Sequence, residues 1–208
     1  MSFNPRFIAT FEHQSFVVLP HFLEPTERAV LRRAGDAALE WSRTHCVETS
    51  HSTPRISLLT QANSFEPGPV LLAPILAFAS SARVCTQLQA LHPSDAVGIP
   101  ELKDAHYYHE QTQRDWDGDW HRDSQFARVD LDQERTLIAN SWSLHFRVAF
   151  EDDERLEVVP GSHRRWDTAE ELAIRRGSHR ASNHMPNAER VCLRAGDACL
   201  FHAWSIHR

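Results

Sequence analysis

The apolar positions of this chain change their period near its middle. Residues 15–19, S-F-V-V-L, are β-branched and aromatic and predict a short strand. In the following segment, L-E-P-T-E-R-A-V-L-R-R-A-G-D-A-A-L-E-W-S, Val30, Ala34, Ala37, Ala38 and Trp41 recur at helical spacing. Pro25 suits a first helical turn, so the spacing predicts a helix over about 25–43. Residues 55–60 read as a second strand, and 68–91 as one or two helices that Pro74 breaks or kinks.

From about residue 100 the runs become short and β-rich: 105–111, 136–150 (T-L-I-A-N-S-W-S-L-H-F-R-V-A-F), 156–159, 190–193 and 198–203. Turn dipeptides separate them at Asp117-Gly118, Pro160-Gly161 and Gly196-Asp197. One helix interrupts, announced by the capping box Thr168-Ala169-Glu170-Glu171, whose hydroxyl and carboxylate satisfy free N–H groups at a helix start. The layout predicts one domain over 1–208, mainly helical to about residue 100 and β-rich over 101–208. Closely spaced strands suggest a sandwich or barrel of the jelly-roll type with the N-terminal helices packed on it, an α+β or mainly β fold.

Composition narrows the function without naming it. With 41% hydrophobic and 24% charged residues, the chain has the make-up of a packed globular protein. A net charge of −6 argues against a general nucleic-acid binder, which needs a basic surface to displace counterions from phosphates. A small-molecule ligand fits better, and oligomeric state stays open. Cys46, Cys85, Cys192 and Cys199 are widely spaced with no C-x-x-C pair, which favours reduced thiols and a cytoplasmic setting. The N-terminus carries Arg6, Glu12 and His13 where a secretory signal needs an apolar stretch. The longest apolar run, Pro69 to Ala79, falls short of the ~20 residues that span a bilayer, so no membrane association is expected.

The chemistry centres on G-D-W-H-R-D-S-Q, residues 118–125, where His121 and Asp123 stand two apart. With 14 histidines in 208 residues, one such pair is no more than chance supplies, so its surroundings must decide. On a strand, residues i and i+2 share a face, and His-x-Asp at a strand end aims an imidazole and a carboxylate at one point. Two His and one carboxylate on one face of an octahedron leave positions open, the arrangement of non-haem Fe(II) oxygenases. G-D-A-C-L-F-H-A-W-S-I-H-R offers a third donor, His207, after an apolar strand and a short break. Between the two ends lies L-E-V-V-P-G-S-H-R-R-W, a strand running into a Pro-Gly turn.

W-H-x-D, then V-P-G-S-H, then G-D followed by an apolar strand and a late His resembles, in that order, the phytanoyl-CoA dioxygenase family. The opening F-V-V-L-P-H-F-L-E-P-T-E is similar to that family's first strand and helix. The resemblance runs from about residue 15 to the last residue. It implies a double-stranded β-helix (jelly roll, cupin-like) with Fe(II) and 2-oxoglutarate as cofactor and cosubstrate. It further implies His121, Asp123 and His207 as iron ligands, and a dioxygenase that hydroxylates a small substrate while converting 2-oxoglutarate and O2 to succinate and CO2. Halogenating relatives lack the carboxylate, so Asp123 favours hydroxylation. His202 competes with His207 but falls inside the apolar strand, whereas the family's ligand follows the turn. His163 matches a family position and is expected to hold a turn by a hydrogen bond. Arg122 is expected on the opposite face, solvated or structural.

The family's 2-oxoglutarate arginine lies on a strand downstream of the distal His, so it is expected beyond Arg208, together with the last core strands. Arg147 is a conceivable substitute. Trp116, Trp120, Phe126, Trp142 and Trp204 are expected either in the core or lining a pocket. Two other readings use the same residues: a zinc-dependent hydrolase or lyase, and an inactive β-helix binding module. The EF-hand reading of D-W-D-G-D-W-H-R-D fails, since Trp120 and Phe126 occupy the required Gly and Glu positions. No G-x-G, G-x-S-x-G or Gly-Lys phosphate loop is present.

Overall fold

The computed structural model describes residues 5–44, 55–57, 68–91, 105–108, 118–177 and 184–208. They fall into two compact units, Met1–Glu24 with Asp117–Arg208, and Pro25–Trp116. The chain therefore leaves the first unit after 24 residues and returns to it at residue 117.

The first unit opens with α1 (Pro5–Gln14) and β1 (Phe16–Leu19). The second contains α2 (Pro25–Thr44), β2 (Arg55–Ser57), α3 (Gly68–Ala79), α4 (Ala82–Leu91) and β3 (His106–Tyr108). In α2 the buried stripe is Leu31, Ala34, Gly35, Ala38, Leu39 and Ser42, while Val30 is exposed. The helical face is thus turned by one residue from the expected Val30 stripe. Gly35 explains the choice: a Cβ there would stand 2.4 Å from the Tyr107 ring, so only glycine admits this side chain of β3. Tyr107 then donates its hydroxyl proton to Asp36 on the next residue of α2. β2 and β3 pair antiparallel with Ile56 opposite Tyr107.

Pro74 does not break its helix. It sits inside α3, and the interruption falls at Ser80-Ser81, where the Ser80 hydroxyl caps the Leu76 carbonyl at 2.8 Å. Proline removes one helical hydrogen bond, which an otherwise apolar helix tolerates, whereas a serine pair offers its backbone competing side-chain partners.

Back in the first unit, α5 (Leu131–Asn140) precedes β4 (Leu144–Val148). The first third of the expected strand over 136–150 is therefore helix. The cause is a capping box, Asp130 on the Gln133 N–H at 2.8 Å and Gln133 back on the Asp130 N–H, which starts the helix before its β-branched end. Then follow β5 (Asp153–Val158), α6 (Ala169–Arg176), β6 (Glu189–Leu193) and β7 (Ala198–His202). Thr168 caps α6 as its capping box predicts, accepting from the Glu171 N–H.

Two antiparallel sheets face one another. One has the order β1-β7-β4, with Phe16 and His145 both opposite Phe201. The other joins β5 to β6 and is widened by single bridges from His207 to both Val158 and His121. Residues 206–208 thereby lie between the His121 segment and β5, with hydrogen bonds of 2.9 Å from His121 N to His207 O and from Val159 N to Ile206 O. Leu156, Val158, Val191 and Leu193 from one sheet bury against Phe16, Val18, Cys199 and Phe201 from the other. Along β6 the buried Val191 and Leu193 alternate with exposed Arg190 and Cys192, the period of a half-buried strand. Tight turns close the sheets at Gly161 (φ 70°) and Gly196 (φ 100°), both in the region that favours glycine. Among the described residues, no helix is long and apolar enough to cross a membrane.

Candidate metal centre

His121, Asp123 and His207 come together, with one donor atom from each lying within 4.8 Å of the others. The bridge between residues 121 and 207 sets two imidazoles side by side, ring centroids 4.3 Å apart. Just past that bridge the chain turns into a 3-10 helix, Asp123–Ala127, which swings the Asp123 carboxylate toward the rings. Asp123 Oδ1 lies 3.4 Å from His121 Nε2 and 3.6 Å from His207 Nε2.

The tautomers follow from the backbone. His121 Nδ1 lies 2.6 Å from the Asp119 carbonyl, and His207 Nδ1 lies 2.9 Å from the Ser205 carbonyl. A carbonyl only accepts, so each Nδ1 carries a proton, and in the neutral ring Nε2 presents the lone pair. Burial pushes His207 down to about 3, with the neighbouring His121 adding to the effect, so its ring is neutral near pH 7. Burial would raise the Asp123 carboxyl, but contacts with His121 and His145 and the field of His207 outweigh it and hold Asp123 well below the carboxylate range. With each Nδ1 held by a carbonyl, two Nε2 atoms and a carboxylate oxygen thus converge. A cation is what such a set accommodates. Metal bonds of about 2.1 Å at roughly tetrahedral to octahedral angles put donors about 3.0–3.4 Å apart, close to the spacing present.

The residues around the centre divide cleanly. His207 is buried, while His121 and Asp123 are about a quarter exposed, so one side of the donor set is open. Arg122 is fully buried rather than solvated. Its guanidinium donates to Asp167 at 2.8 Å, to the Ser162 carbonyl at 2.9 Å and to the Trp204 carbonyl. On the other flank of Asp123, Ser124 donates to Glu134 Oε1 at 2.8 Å. Glu134 in turn holds Arg175 at 3.0 Å and Arg176 at 2.5 Å, and Arg175 closes the ring onto Asp167. Both neighbours of Asp123 are therefore pinned by one buried ionic network.

His202 stays away from the centre. Its ring packs 5.0 Å from His163, and its Nδ1 accepts from the Trp204 N–H. His163 makes no turn hydrogen bond through Nδ1, which is buried without a partner; the ring packs against Phe11 and His202 instead. Arg147 pairs with Asp153 across to β5. Trp120 is fully buried in a core cluster with Val159, Met185 and Ile206, and Trp204 donates to Ser141. Trp142 meets the His202 ring edge-on at 6.0 Å, and Trp116 lies outside the described residues. Phe126 is exposed and lies 5.3 Å from the His121 ring, on the open side of the donor set. His145, which the sequence reading missed, places Nε2 2.5 Å from Asp123 Oδ2. Its signal was an imidazole within the apolar run L-H-F-R-V.

The two displaced histidines carry a pH prediction. Burial lowers His163 to about 4, helped by Arg164 and Arg122, and lowers His202 to about 3, helped by His163 and Arg122. Unfolded, both take up protons below about 6.5. The unfolded chain then binds more protons than the folded one, so stability is full above this pH and falls as the pH drops toward 4. Urea unfolding at pH 7, 6 and 5 should show a slope near pH 5 of about two protons, or three when His207 is free of metal. His202→Gln should lower that slope by about one proton; an unchanged slope contradicts the assignment.

A family model described as phytanoyl-CoA dioxygenase (PhyH) matches residues 11–208. No curated protein sequence matches. Among solved structures, AviO1 from Streptomyces viridochromogenes Tue57 superposes with a TM-score of 0.59 at 19% identity, covering 97% of this chain and 85% of that one. HygX from Streptomyces hygroscopicus, with nickel and 2-oxoglutarate bound, gives a TM-score of 0.64 at 16% identity, covering 100% and 80%. The non-heme alpha-ketoglutarate-dependent epimerase SnoN, from nogalamycin biosynthesis, gives 0.54 at 18% identity, covering 97% and 73%. At these identities the likeness is one of fold.

Proposed function

Because this chain belongs to the phytanoyl-CoA dioxygenase family, we propose that it is a non-haem iron, 2-oxoglutarate-dependent dioxygenase hydroxylating a small organic substrate. The observation that carries the reading is the convergence of His121 Nε2, His207 Nε2 and one Asp123 oxygen, with both Nδ1 atoms held by backbone carbonyls. These three residues would hold Fe(II). The two facing sheets are read as the halves of a double-stranded β-helix, and residues 1–208 as one oxygenase domain working in the cytoplasm. HygX with its nickel and 2-oxoglutarate supports the choice of cosubstrate.

Bound iron with 2-oxoglutarate supplies oxidative decarboxylation to succinate and CO2, coupled to insertion of oxygen into a C–H bond. The protein's own part is positional. The Asp119 and Ser205 carbonyls fix the two imidazoles by their Nδ1 protons, so both nitrogen lone pairs already face the metal position. Asp123 adds one negative charge, leaving a net positive iron site that attracts a dianionic cosubstrate. Phe126 offers substrate an apolar surface on the open side. Arg147, already paired with Asp153, is a poor partner for the far carboxylate of 2-oxoglutarate.

Anaerobic calorimetric titration with Fe(II) tests the site, followed by assay of succinate from 2-oxoglutarate after oxygen is admitted. One iron per chain and oxygen-dependent succinate are expected. No binding, or a hydrolytic activity with Zn²⁺ that ignores oxygen, overturns the reading.

A further inference from the structure

We propose that His145 is a positioning residue that fixes the rotation of the Asp123 carboxylate, so that Oδ1 alone is offered to the metal. The inference rests on the metal site proposed above and adds a residue outside the donor set. The two oxygens of Asp123 have different surroundings. Oδ1 faces the Nε2 atoms of His121 and His207, and Oδ2 faces His145 Nε2 at 2.5 Å. An oxygen that receives a short N–H bond has one of its lone pairs committed in that direction, and this fixes the rotation of the carboxylate plane.

The ring that makes this bond is itself held. His145 lies on β4 directly opposite Phe201 of β7, and the two rings stack at 4.7 Å with 24° between their planes. It meets the His207 ring edge-on at 6.0 Å. Phe201 also packs edge-on against His207, at 5.2 Å, so one aromatic side chain steadies both the positioning ring and a donor ring. His145 is not itself among the residues whose donor atoms converge.

The bond matters because the last torsion of an aspartate is broad and nearly two-fold. Left alone, the carboxylate turns easily and binds a metal through both oxygens. That would take a coordination position which a bidentate cosubstrate and dioxygen need. With Oδ2 held by His145, Asp123 binds through one oxygen and the remaining positions stay open.

The test uses the full chain, stripped of metal, as wild type, His145→Ala and His145→Gln. Ni²⁺ affinity is measured by competition with a chelator, and the visible absorption of the Co²⁺ form reports coordination. His145→Ala should weaken Ni²⁺ binding by roughly 10–100-fold, the usual effect of losing a residue that orients a ligand. Its Co²⁺ spectrum should shift as the second carboxylate oxygen enters. His145→Gln, whose amide N–H reaches the same oxygen, should recover affinity to within about 3-fold of wild type and restore the spectrum. Wild-type affinity and spectrum in His145→Ala overturn the proposal. Loss in both variants assigns the effect to ring stacking and overturns it as well. A wild-type protein that binds neither metal defeats the metal site itself, an outcome distinct from either.

Discussion

Asp123→Ala should lose at least about 100-fold in Ni²⁺ or Fe²⁺ affinity and all oxygen-dependent succinate formation, with its fold intact. The expected loss exceeds the roughly 10–100-fold of a residue that merely orients a ligand. Three facts argue for it. Asp123 supplies the only formal negative charge within the converging donor set, so its removal leaves two imidazoles facing a cation with no charge to offset it. Its neighbours Arg122 and Ser124 are anchored by their own side chains, so the backbone keeps its course without the carboxylate. And the bridge between His121 and His207 uses main-chain bonds of 2.9 Å that the substitution does not touch. Circular dichroism and thermal unfolding of the metal-free variant should match wild type. Wild-type metal affinity in this variant would remove Asp123 from the ligand set.

Asp167→Ala should have the largest effect on stability of any single change near the site, about 3–5 kcal/mol. The Asp167 side chain is fully buried and holds Arg122 through Oδ1 and Arg175 through Oδ2, both of whose side chains are fully buried too. Deleting the carboxylate leaves the buried Arg122 guanidinium with carbonyl partners alone and Arg175 with Glu134, and burial already opposes the charge on Arg122. With a typical urea dependence for a chain of this size, the unfolding midpoint should fall by roughly 2 M. Asp167→Asn keeps hydrogen-bond acceptance for one guanidinium and should fall in between. Replacing Arg122 by Met in the Asp167→Ala background should recover part of the loss, since an apolar pair is tolerated better than a broken ionic one. A midpoint within 0.3 M of wild type for Asp167→Ala, as an order-of-magnitude limit, would mean that water reaches the network.

Sequence signals of short range carried much of this architecture. β1, α2, α6, β6 and β7 all lie where period, capping residues and turn dipeptides put them. The preference for His207 over His202 rested on the family resemblance, which places a ligand after the turn; in the structure 202 ends the apolar strand and 207, after the turn, bridges to His121. Errors arose where local signals competed. In T-L-I-A-N the β-branched residues outweighed an Asp130–Gln133 capping box just upstream, yet the box decided the structure. At Pro74, of the expected break or kink, the break does not occur: α3 runs through the proline to Ala79. His145 was out of reach for a different reason. Its meeting with Asp123 depends on the register of β4 against β7, and its stacking partner lies 56 residues away at Phe201. The same holds for Glu134, Asp167 and Arg175, which reach the site only after α5 and α6 have docked. Pairings set by strand register and helix docking leave no periodic trace along the chain.

The order in which these parts emerge during synthesis gives the discontinuous unit a further meaning. β1 is made early but can pair only with β7, which is the central strand of its sheet and comes from the far end of the described chain. Residues 25–116 have their own internal contacts and are free to form them while β1 waits. Closing so long a loop is slow, because chain entropy is lost before the distant contacts reward it. His207 lies later still, beyond β7, and its bridges join His121 to the β5–β6 sheet. The donor set therefore cannot assemble until residues 206–208 have been made. A nascent chain shorter than this holds His121 and Asp123 without the third donor, so the two ends of the fold must meet before the three residues converge.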